Sequence, residues 1–369
     1  MKKIIALLLA LVVTMSLVGC GKANSGVNSD LPKYKVGVIM YDLSNEWAQN
    51  IMDAIEYLGN DLNIEFEYAL GGPDPEATKT AVQNFGSSGC DGVLNLHPGT
   101  IMSTLVDTCE EYGMFIVTSN DPSSGDANYA EFSKSEFFAG EVWEDDYQMA
   151  YDIAKDMIVS GGAKTFALHG FPEGLATQMD KRLQGARAAI SDNGGTIVTE
   201  GLSFDKAGAA ENIVSQFPDV DAIFSSVETV STVYQPLVNA GLAGKILLNC
   251  YDPADGALEA FQDGTISYAV EGTCADSMIA LILLYNAMSG HRMVDADGNV
   301  ASIQMSYVLA KNVKEFENIQ KYITGEDKPF HYDEVKDFIT VLNPDASLTD
   351  LTTFAKNFSL EDVMARHAQ

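Results

Sequence analysis

Basic residues and catalytic motifs are both scarce in this sequence. Lysine and arginine together number 22 against 52 aspartates and glutamates, so the formal net charge is −30. A chain this acidic repels a phosphate backbone, which excludes nucleic-acid binding. The sequence also lacks the Gly-x-Ser-x-Gly, His-Glu-x-x-His, Walker and dinucleotide-binding motifs. We therefore predict that the protein is not an enzyme and that it uses neither a cofactor nor a metal.

Cysteine is rare and irregularly spaced. The sequence has 5 cysteines, which are Cys20, Cys90, Cys109, Cys250 and Cys274. None of them belongs to a Cys-x-x-Cys pair or to a Cys/His pattern of the kind that binds zinc. We expect the last four to be buried thiols, and the sequence leaves open whether any of them pair.

Long apolar runs are missing except at the start of the chain. Residues 4–18 are almost wholly apolar and follow Lys2 and Lys3. A basic segment before a short apolar segment is typical of a secretory signal peptide. The run is shorter than the roughly 20 apolar residues that a membrane-spanning helix needs. We predict a signal peptide over residues 1–19.

The end of this segment indicates a lipid anchor. Leu17-Val18-Gly19-Cys20 resembles the bacterial lipobox, which implies cleavage before Cys20 and a diacylglycerol on its sulfur. Residues 20–33 are small and polar, as in a flexible tether. We predict an extracytoplasmic protein that is held at the outer face of the cell membrane by this lipid alone.

Short apolar runs and helical patterns alternate along the rest of the chain. Residues 35–40 form a compact β-branched run, which predicts a buried strand. Residues 47–58 carry apolar side chains at helical spacing. Repeated units of this kind imply parallel sheets with right-handed crossovers. The same rhythm restarts with a helix predicted over residues 137–159.

The restart divides the chain into two similar halves. We predict an α/β fold with two tandem, doubly wound parallel-sheet lobes joined by a hinge. The N-terminal lobe is assigned to residues 34–120, the hinge crossover to 121–136 and the C-terminal lobe to 137–270. Residues 271–369 are predicted to form a returning helix, a hairpin and an extension that packs across both lobes.

Several local signatures occur in the order and spacing of one known family. They are Asn45 to Trp47 after the first strand, Gly89-Cys90-Asp91-Gly92 before the third, Arg182 to Gly185 in a helix, Pro218-Asp219 before a strand, and Cys250-Tyr251-Asp252 at a strand end. Together they resemble the type I periplasmic binding proteins of the ribose/galactose-binding family. The resemblance implies a lipoprotein that binds a small ligand and serves an ABC transporter.

The sequence departs from the family pattern at positions that the resemblance places in the pocket. Asp121 stands where the family often has arginine, and Ser226-Val227 where it often has asparagine and aspartate. Glu271 stands at a place that is often glutamine. These differences leave the identity of the ligand open.

In open α/β sheets, ligands bind beyond the carboxyl ends of the strands. The residues just after the predicted strands are therefore the candidate ligand-binding residues. They are Tyr41, Asn45, Trp47, Asn120, Asp121, Arg182, Ser226, Asp252 and Glu271. A flat aromatic face, carboxylates, amides and a guanidinium fork are the groups that bind a sugar's C–H and hydroxyl groups.

Each of these residues also has a purely structural interpretation. Trp47 fits a helix core, Asn45 a helix cap and Arg182 a solvated helix face. Asp252 precedes a proline and fits a turn. The three predicted pocket carboxylates outnumber Arg182, so a cationic or amino-bearing ligand is an alternative to a neutral sugar.

The resemblance implies a monomer that closes its two lobes on the ligand and delivers it to an ABC permease. A sensor lipoprotein that presents its ligand to a signalling receptor would have the same sequence features. Whether loss of the gene abolishes uptake would separate these two functions.

Overall fold

The computed structural model describes residues 31–71, 75–96 and 101–368, and this part of the chain forms two six-stranded sheets. The predicted signal peptide, Cys20 and most of the tether lie outside the described residues. Within the described ranges, no helix is both long and apolar enough to cross a membrane.

The first sheet is parallel throughout. Its strands, in spatial order, are β11 (Ala301–Met305), β5 (Phe138–Glu144), β4 (Phe115–Asn120), β3 (Gly92–Asn95), β1 (Tyr34–Met40) and β2 (Ile64–Leu70). Residues 36–40 of β1 are buried, as their β-branched and apolar composition predicts.

The second sheet is parallel except at one edge. Its strands, in spatial order, are β12 (Val308–Ala310), β10 (Tyr268–Glu271), β9 (Leu247–Tyr251), β8 (Ala222–Ser225), β6 (Thr165–Gly170) and β7 (Thr196–Leu202). Only β12 runs antiparallel to its neighbour. The two sheets with their flanking helices confirm the predicted fold class.

Helices cover the faces of each sheet and define two lobes. The first lobe has α1 (Glu46–Asp61), α2 (Pro75–Ser87), α3 (Met102–Tyr112), α4 (Tyr129–Phe132) and α10 (Thr273–Met288). The second lobe has α5 (Asp146–Val159), α6 (Thr177–Asp192), α7 (Lys206–Gln216), α8 (Gln235–Asn239) and α9 (Ala257–Gln262). A short π-helix, Val230–Tyr234, leads into α8.

One glycine of the family signature has a packing role. Gly185 lies in α6 where this helix crosses α5, and a Cβ atom there would lie 2.2 Å from the backbone oxygen of Tyr147. Only glycine allows the two helices to approach this closely. The glycine three residues after Arg182 therefore sets the position of the helix that carries the arginine.

The chain crosses between the lobes three times: between β5 and α5, between β10 and α10, and between β11 and β12. The first crossing lies between Glu144 and Asp146, after the expected hinge at residues 121–136. Those residues instead hold a 3₁₀ turn and α4 beside the first sheet.

The predicted helix over residues 137–159 is therefore wrong in its first part. Residues Phe138–Glu144 form β5, whose buried acids Glu141 and Glu144 give the segment the composition of a helix surface. Glu141 is buried because its carboxylate accepts hydrogen bonds from the hydroxyls of Ser123 at 2.7 Å and Ser302 at 2.6 Å. Ser123 lies in a 3₁₀ turn and Ser302 lies in β11, far along the chain. The spacing of apolar residues within 137–159 therefore cannot show that Glu141 is buried.

The C-terminal residues contact both lobes. Helix α11 (Val313–Tyr322) packs on β12 and α9, and α13 (Leu348–Lys356) packs on β11. The remaining helices of this extension are α12 (Tyr332–Val335) and α14 (Leu360–His367). Phe316 of α11 stacks on Phe261 of α9 with ring centroids 5.0 Å apart.

Candidate functional site

A cleft of about 770 Å³ lies between the lobes, beyond the carboxyl ends of both sheets. Its lining comes from the loop and first turn after β1 on one side and from loops of the second lobe on the other. The lining residues are Tyr41, Asp42, Ser44, Asn45, Glu46, Trp47, Gln49, Phe171, Met179, Arg182, Lys206, Val227, Glu228, Ser231, Tyr251, Asp252, Ala254 and Asp255. This volume suits a small ligand.

The first-lobe wall is an aromatic pair on a rigid loop. Tyr41 and Trp47 are stacked, with ring centroids 4.8 Å apart and an angle of 27° between the rings. Asp42 holds the loop by accepting hydrogen bonds from the Ser44 amide at 2.6 Å and the Asn45 amide at 3.2 Å. Asn45 caps α1, because its Oδ1 accepts from the Ala48 amide at 2.9 Å. The wall thus presents a preformed apolar face.

Arg182 is a buried framework group as well as a lining residue. Its Nε donates to Asp146 at 2.7 Å, and its Nη2 donates to the Tyr307 hydroxyl at 2.9 Å. Its Nη1 donates to the Ser226 carbonyl at 3.2 Å, and the guanidinium lies 3.8 Å from the centre of the Tyr251 ring. The fork that we expected to face the ligand therefore makes three of its hydrogen bonds within the protein.

Asp252 directly follows β9 and has a left-handed backbone conformation, with φ of 47°. Aspartate tolerates this conformation better than most residues do, and the sharp turn directs the next residues around the cleft. The carboxylate accepts a long hydrogen bond from the Thr273 hydroxyl, at 3.4 Å. Burial raises the pKa of Asp252 to about 6, while the charge of Arg182 acts in the opposite direction. The carboxylate oxygens can accept hydrogen bonds from a ligand.

Five of the nine predicted ligand-binding residues line the cleft and four do not. Tyr41, Asn45, Trp47, Arg182 and Asp252 are in the lining. The other four are buried behind it: Asn120, Asp121, Ser226 and Glu271.

These four residues support the cleft or the hinge. The backbone N–H of Asn120 donates to the Asp276 carboxylate at 3.1 Å. The backbone carbonyl of Ser226 accepts the hydrogen bond from Arg182. Asp121 has its Oδ1 3.9 Å from the Lys181 ammonium, which is too long for a hydrogen bond, and this oxygen has no other partner. Burial raises the pKa of Glu271 well above its usual range, and the neighbouring charge of Asp252 adds to the effect.

The rule that ligands bind beyond the carboxyl ends of strands also predicts several lining residues that we did not name. Phe171 directly follows β6, Glu228 follows β8, and Asp255 follows β9 by four residues. Tyr251 is the last residue of β9, and the ring that it adds to the lining lies under Arg182. Lys206 begins α7, and its ammonium lies 4.5 Å from the centre of the Phe171 ring.

One cluster outside the cleft has the composition of a metal site. Among the described residues, Asp327, His331 and His367 place one ligand atom each within 4.8 Å of one another. Asp327 contacts the two imidazoles at 2.6 and 3.0 Å. The two rings are stacked in parallel, 3.9 Å apart with an angle of 8°. A single ion cannot lie in both ring planes, so we interpret this cluster as a hydrogen-bonded link between α14 and the segment before α12.

The structure describes the four remaining cysteines as buried free thiols. Burial raises the pKa of Cys109 and Cys250 far above that of an exposed thiol. Neither Cys90 nor Cys274 lines the cleft. The thiols are therefore core residues and not part of the site.

Solved structures with the same fold are numerous. A periplasmic solute binding protein of an ABC transporter from Actinobacillus succinogenes, with bound D-allose, has a TM-score of 0.66 at 19% identity, covering 78% of this chain and 100% of that chain. A solute binding protein from Bacillus halodurans with bound myo-inositol has a TM-score of 0.62 at 19% identity, covering 78% and 99%. A glucose-galactose binding protein from Geobacillus stearothermophilus has a TM-score of 0.61 at 15% identity, covering 76% and 98%.

No curated protein matches this sequence. The family described as periplasmic binding protein domain matches residues 36–277, which include both sheets except β11 and β12. The structure has the type I periplasmic-binding-protein fold, and this chain belongs to the periplasmic binding protein family.

Proposed function

We propose that this protein is an extracytoplasmic solute-binding lipoprotein that captures a monosaccharide or a related polyol and delivers it to an ABC permease. The observation that carries the proposal is the interlobe cleft, in which the stacked Tyr41 and Trp47 face Asp252 and other polar groups of the second lobe. An apolar face opposite hydrogen-bonding groups complements the two kinds of surface that a sugar ring has. The structures with bound allose and myo-inositol support this choice of ligand class.

Closure is the second part of the proposal. Ligand contacts from both lobes stabilise a closed form, because a ligand shifts the equilibrium toward the state that it binds better. The three crossings between the lobes provide the hinge. A permease would then recognise the closed surface.

A thermal-shift screen tests the ligand class. The full chain, purified in mild detergent, is melted with and without D-allose, D-glucose, D-galactose, D-ribose and myo-inositol. A ligand at a hundredfold excess over its Kd adds about 2.7 kcal/mol of stability, so the Tm rises. Trp47→Ala should abolish that rise, whereas Tyr112→Ala, an exposed aromatic residue outside the cleft lining, should retain it. No rise with any of these compounds would contradict the ligand class.

The lipid anchor is tested separately. In cells that express the full chain, Cys20→Ser should move the protein from the membrane fraction to the soluble fraction, because Cys20 is the proposed site of acylation. Cys90→Ser, at a buried thiol of the body, is the matched control and should leave the protein in the membrane fraction. Membrane association of Cys20→Ser at the original level would contradict the lipoprotein assignment.

A further inference from the structure

The cleft holds more negative than positive groups. Its lining includes five carboxylates, those of Asp42, Glu46, Glu228, Asp252 and Asp255, and two cations, Arg182 and Lys206. Glu46 belongs to the first lobe, whereas Glu228, Asp252 and Asp255 belong to the second. Carboxylates from the two lobes thus face each other across the space that the ligand occupies.

Neither cation of the lining forms a salt bridge with these carboxylates, although the charge of Arg182 acts on Asp252. Arg182 uses three N–H groups on Asp146, Ser226 and Tyr307. The Lys206 ammonium lies over the Phe171 ring. Over the described ranges, no lysine, arginine or histidine nitrogen comes within 4.0 Å of a carboxylate oxygen of the lining.

Glu46 and Asp255 are two lining carboxylates that come from opposite lobes. Burial raises the pKa of Glu46, the charge of Asp255 raises it further, and Glu228 adds a smaller effect. Both side chains line the same cleft, Glu46 from the first turn of α1 and Asp255 from the loop after β9. Excluding water from this region increases the repulsion between the two charges.

A second and independent feature indicates a polar ligand. The Tyr251 side chain is only 1% exposed and lines the cleft, yet its hydroxyl has no hydrogen-bond partner among the described residues. Buried hydroxyls without a partner are costly and uncommon in native proteins. A ligand in the cleft that donates to or accepts from this hydroxyl would remove the deficit. It would lie beside Asp252, whose carboxylate has only the long hydrogen bond from Thr273.

We propose that the ligand carries a protonated amine in addition to its hydroxyl groups, as an amino sugar or an aminated polyol does. The ammonium would lie between Glu46 and Asp255 and would compensate the charges that closure brings together. A neutral sugar would leave Glu46 and Asp255 without an ion-pair partner in a closed cleft. This inference rests on the proposed function, because it assigns the chemistry of the ligand in the same cleft.

Isothermal titration of the full chain with matched sugars tests the proposal. The titrants are D-glucosamine and D-galactosamine, their neutral parents D-glucose and D-galactose, and the two N-acetylated derivatives. The pH is about 6.5, below the pKa of an ordinary α-amino group at about 7.7–8.0. We expect an amino sugar to bind at least about tenfold more tightly than both its neutral parent and its N-acetylated derivative.

Two variants assign the preference to particular residues. Glu46→Gln and Asp255→Asn should each reduce the preference for the amine, and the double variant should reduce it to about threefold or less. Glu259→Gln removes an exposed carboxylate of α9 outside the lining and should keep the full preference. Circular dichroism melting of each variant verifies that it is folded.

The possible outcomes separate the two proposals. Neutral parents that bind as tightly as the amino sugars would overturn the amine assignment and leave the sugar-binding function in place. An amine preference that survives in the double variant would overturn the role of Glu46 and Asp255. If no sugar of any kind binds, the proposed function itself is overturned, and the amine assignment with it.

Discussion

Asp121 is a buried carboxylate whose surroundings do not fully compensate its charge. Its Oδ1 has no hydrogen-bond partner, and the Lys181 ammonium is 3.9 Å away. Burial raises the pKa of Asp121 from 3.8 to about 7, although Lys181 acts to lower it. An acid whose pKa is higher in the folded state binds more protons there than in the unfolded state. Stability therefore falls as the pH rises from about 4 to about 7 and then levels off.

This sign gives a prediction for Asp121→Asn. The amide cannot ionise. At pH about 8 the free energy of unfolding of the variant should therefore exceed that of the parent by on the order of 2 kcal/mol, and its Tm should be higher. At pH about 4, where the parent carboxyl is neutral, the two should melt together. Asp219→Asn, at an exposed position, should show no such difference between the two pH values. Thermal melts over this pH range measure the effect, and equal shifts at both ends would contradict it.

Tyr251 gives a second prediction at the scale of one atom. Tyr251→Phe removes a buried hydroxyl that has no protein partner, so the free energy of unfolding of the ligand-free protein should be unchanged or higher. Ligand affinity should fall by about tenfold or less, because one hydrogen bond contributes about 0.5–1.5 kcal/mol. Titration and melting of the same sample measure both quantities.

The matched control for Tyr251→Phe is Tyr285→Phe. Tyr285 is also a buried tyrosine, but it lies outside the cleft lining. Ligand affinity should be unchanged in this control. Unchanged affinity in Tyr251→Phe as well would remove the hydroxyl from the binding site.

At the scale of an element, Asn45 combines two roles that the sequence left as alternatives. It caps α1 through its Oδ1, and it also lines the cleft. A helix cap is a local feature, since asparagine before a run with apolar residues at helical spacing is enough to predict it. That the same residue borders a ligand cleft depends on the second lobe.

Two substitutions at Asn45 separate these roles. Asn45→Ala should lower the free energy of unfolding by about 1 kcal/mol, because the Ala48 amide loses its acceptor. Asn45→Asp retains a cap of equal quality, so its stability should be near that of the parent protein. If the amide nitrogen contacts the ligand, both variants should bind more weakly. A loss of affinity in Asn45→Ala alone would assign Asn45 a structural role only.

At the scale of the whole molecule, the hinge contains a buried acidic pair. Glu144 ends β5 at the first crossing, and Asp276 lies in the first turn of α10 after the second crossing. Burial raises the pKa of both carboxyls well above their usual range, and the charge of Asp276 raises that of Glu144 further. Among the described residues, no donor reaches either oxygen of Glu144. A proton shared between the two carboxyls would relieve their repulsion, and Asp276 also accepts a hydrogen bond from the backbone N–H of Asn120.

This pair makes stability depend on pH. Because the folded-state pKa of Glu144 is raised, stability falls as the pH rises above the ordinary pKa of a glutamate, 4.5 in the unfolded chain. Glu144→Gln keeps the shape and a donor toward Asp276, so the variant should gain stability over the parent protein as the pH rises from about 5 to about 8. Glu259→Gln should gain none. A parallel pH dependence of Tm in parent and Glu144→Gln would show that this carboxyl does not titrate with folding.

The sequence by itself determined the features that depend on short-range patterns. β-branched runs and helical spacing predicted the alternation of strands and helices, and the order of weak signatures predicted the family. The strand-end rule found Asp252 and the Tyr41–Trp47 loop, because a parallel sheet always presents its carboxyl edge to the ligand side. The acidic net charge is likewise a property of composition, whereas the signal peptide remains a prediction.

Only the tertiary structure decided which of these groups line the cleft. Glu144, Asp146 and Asp276 are distant from their partners along the chain, and their pKa values depend on burial and on the charged or hydrogen-bonding groups that folding places beside them. Arg182 is held by hydrogen bonds to Asp146 and Tyr307. Asp146 lies at the crossing between β5 and α5, and Tyr307 at the crossing between β11 and β12. The misassigned strand β5 has the same origin, because Glu141 is buried by partners that local periodicity cannot show. The local sequence pattern predicts the role of a residue within its own helix or strand. Its burial and the compensation of its charge depend on the residues that folding places next to it.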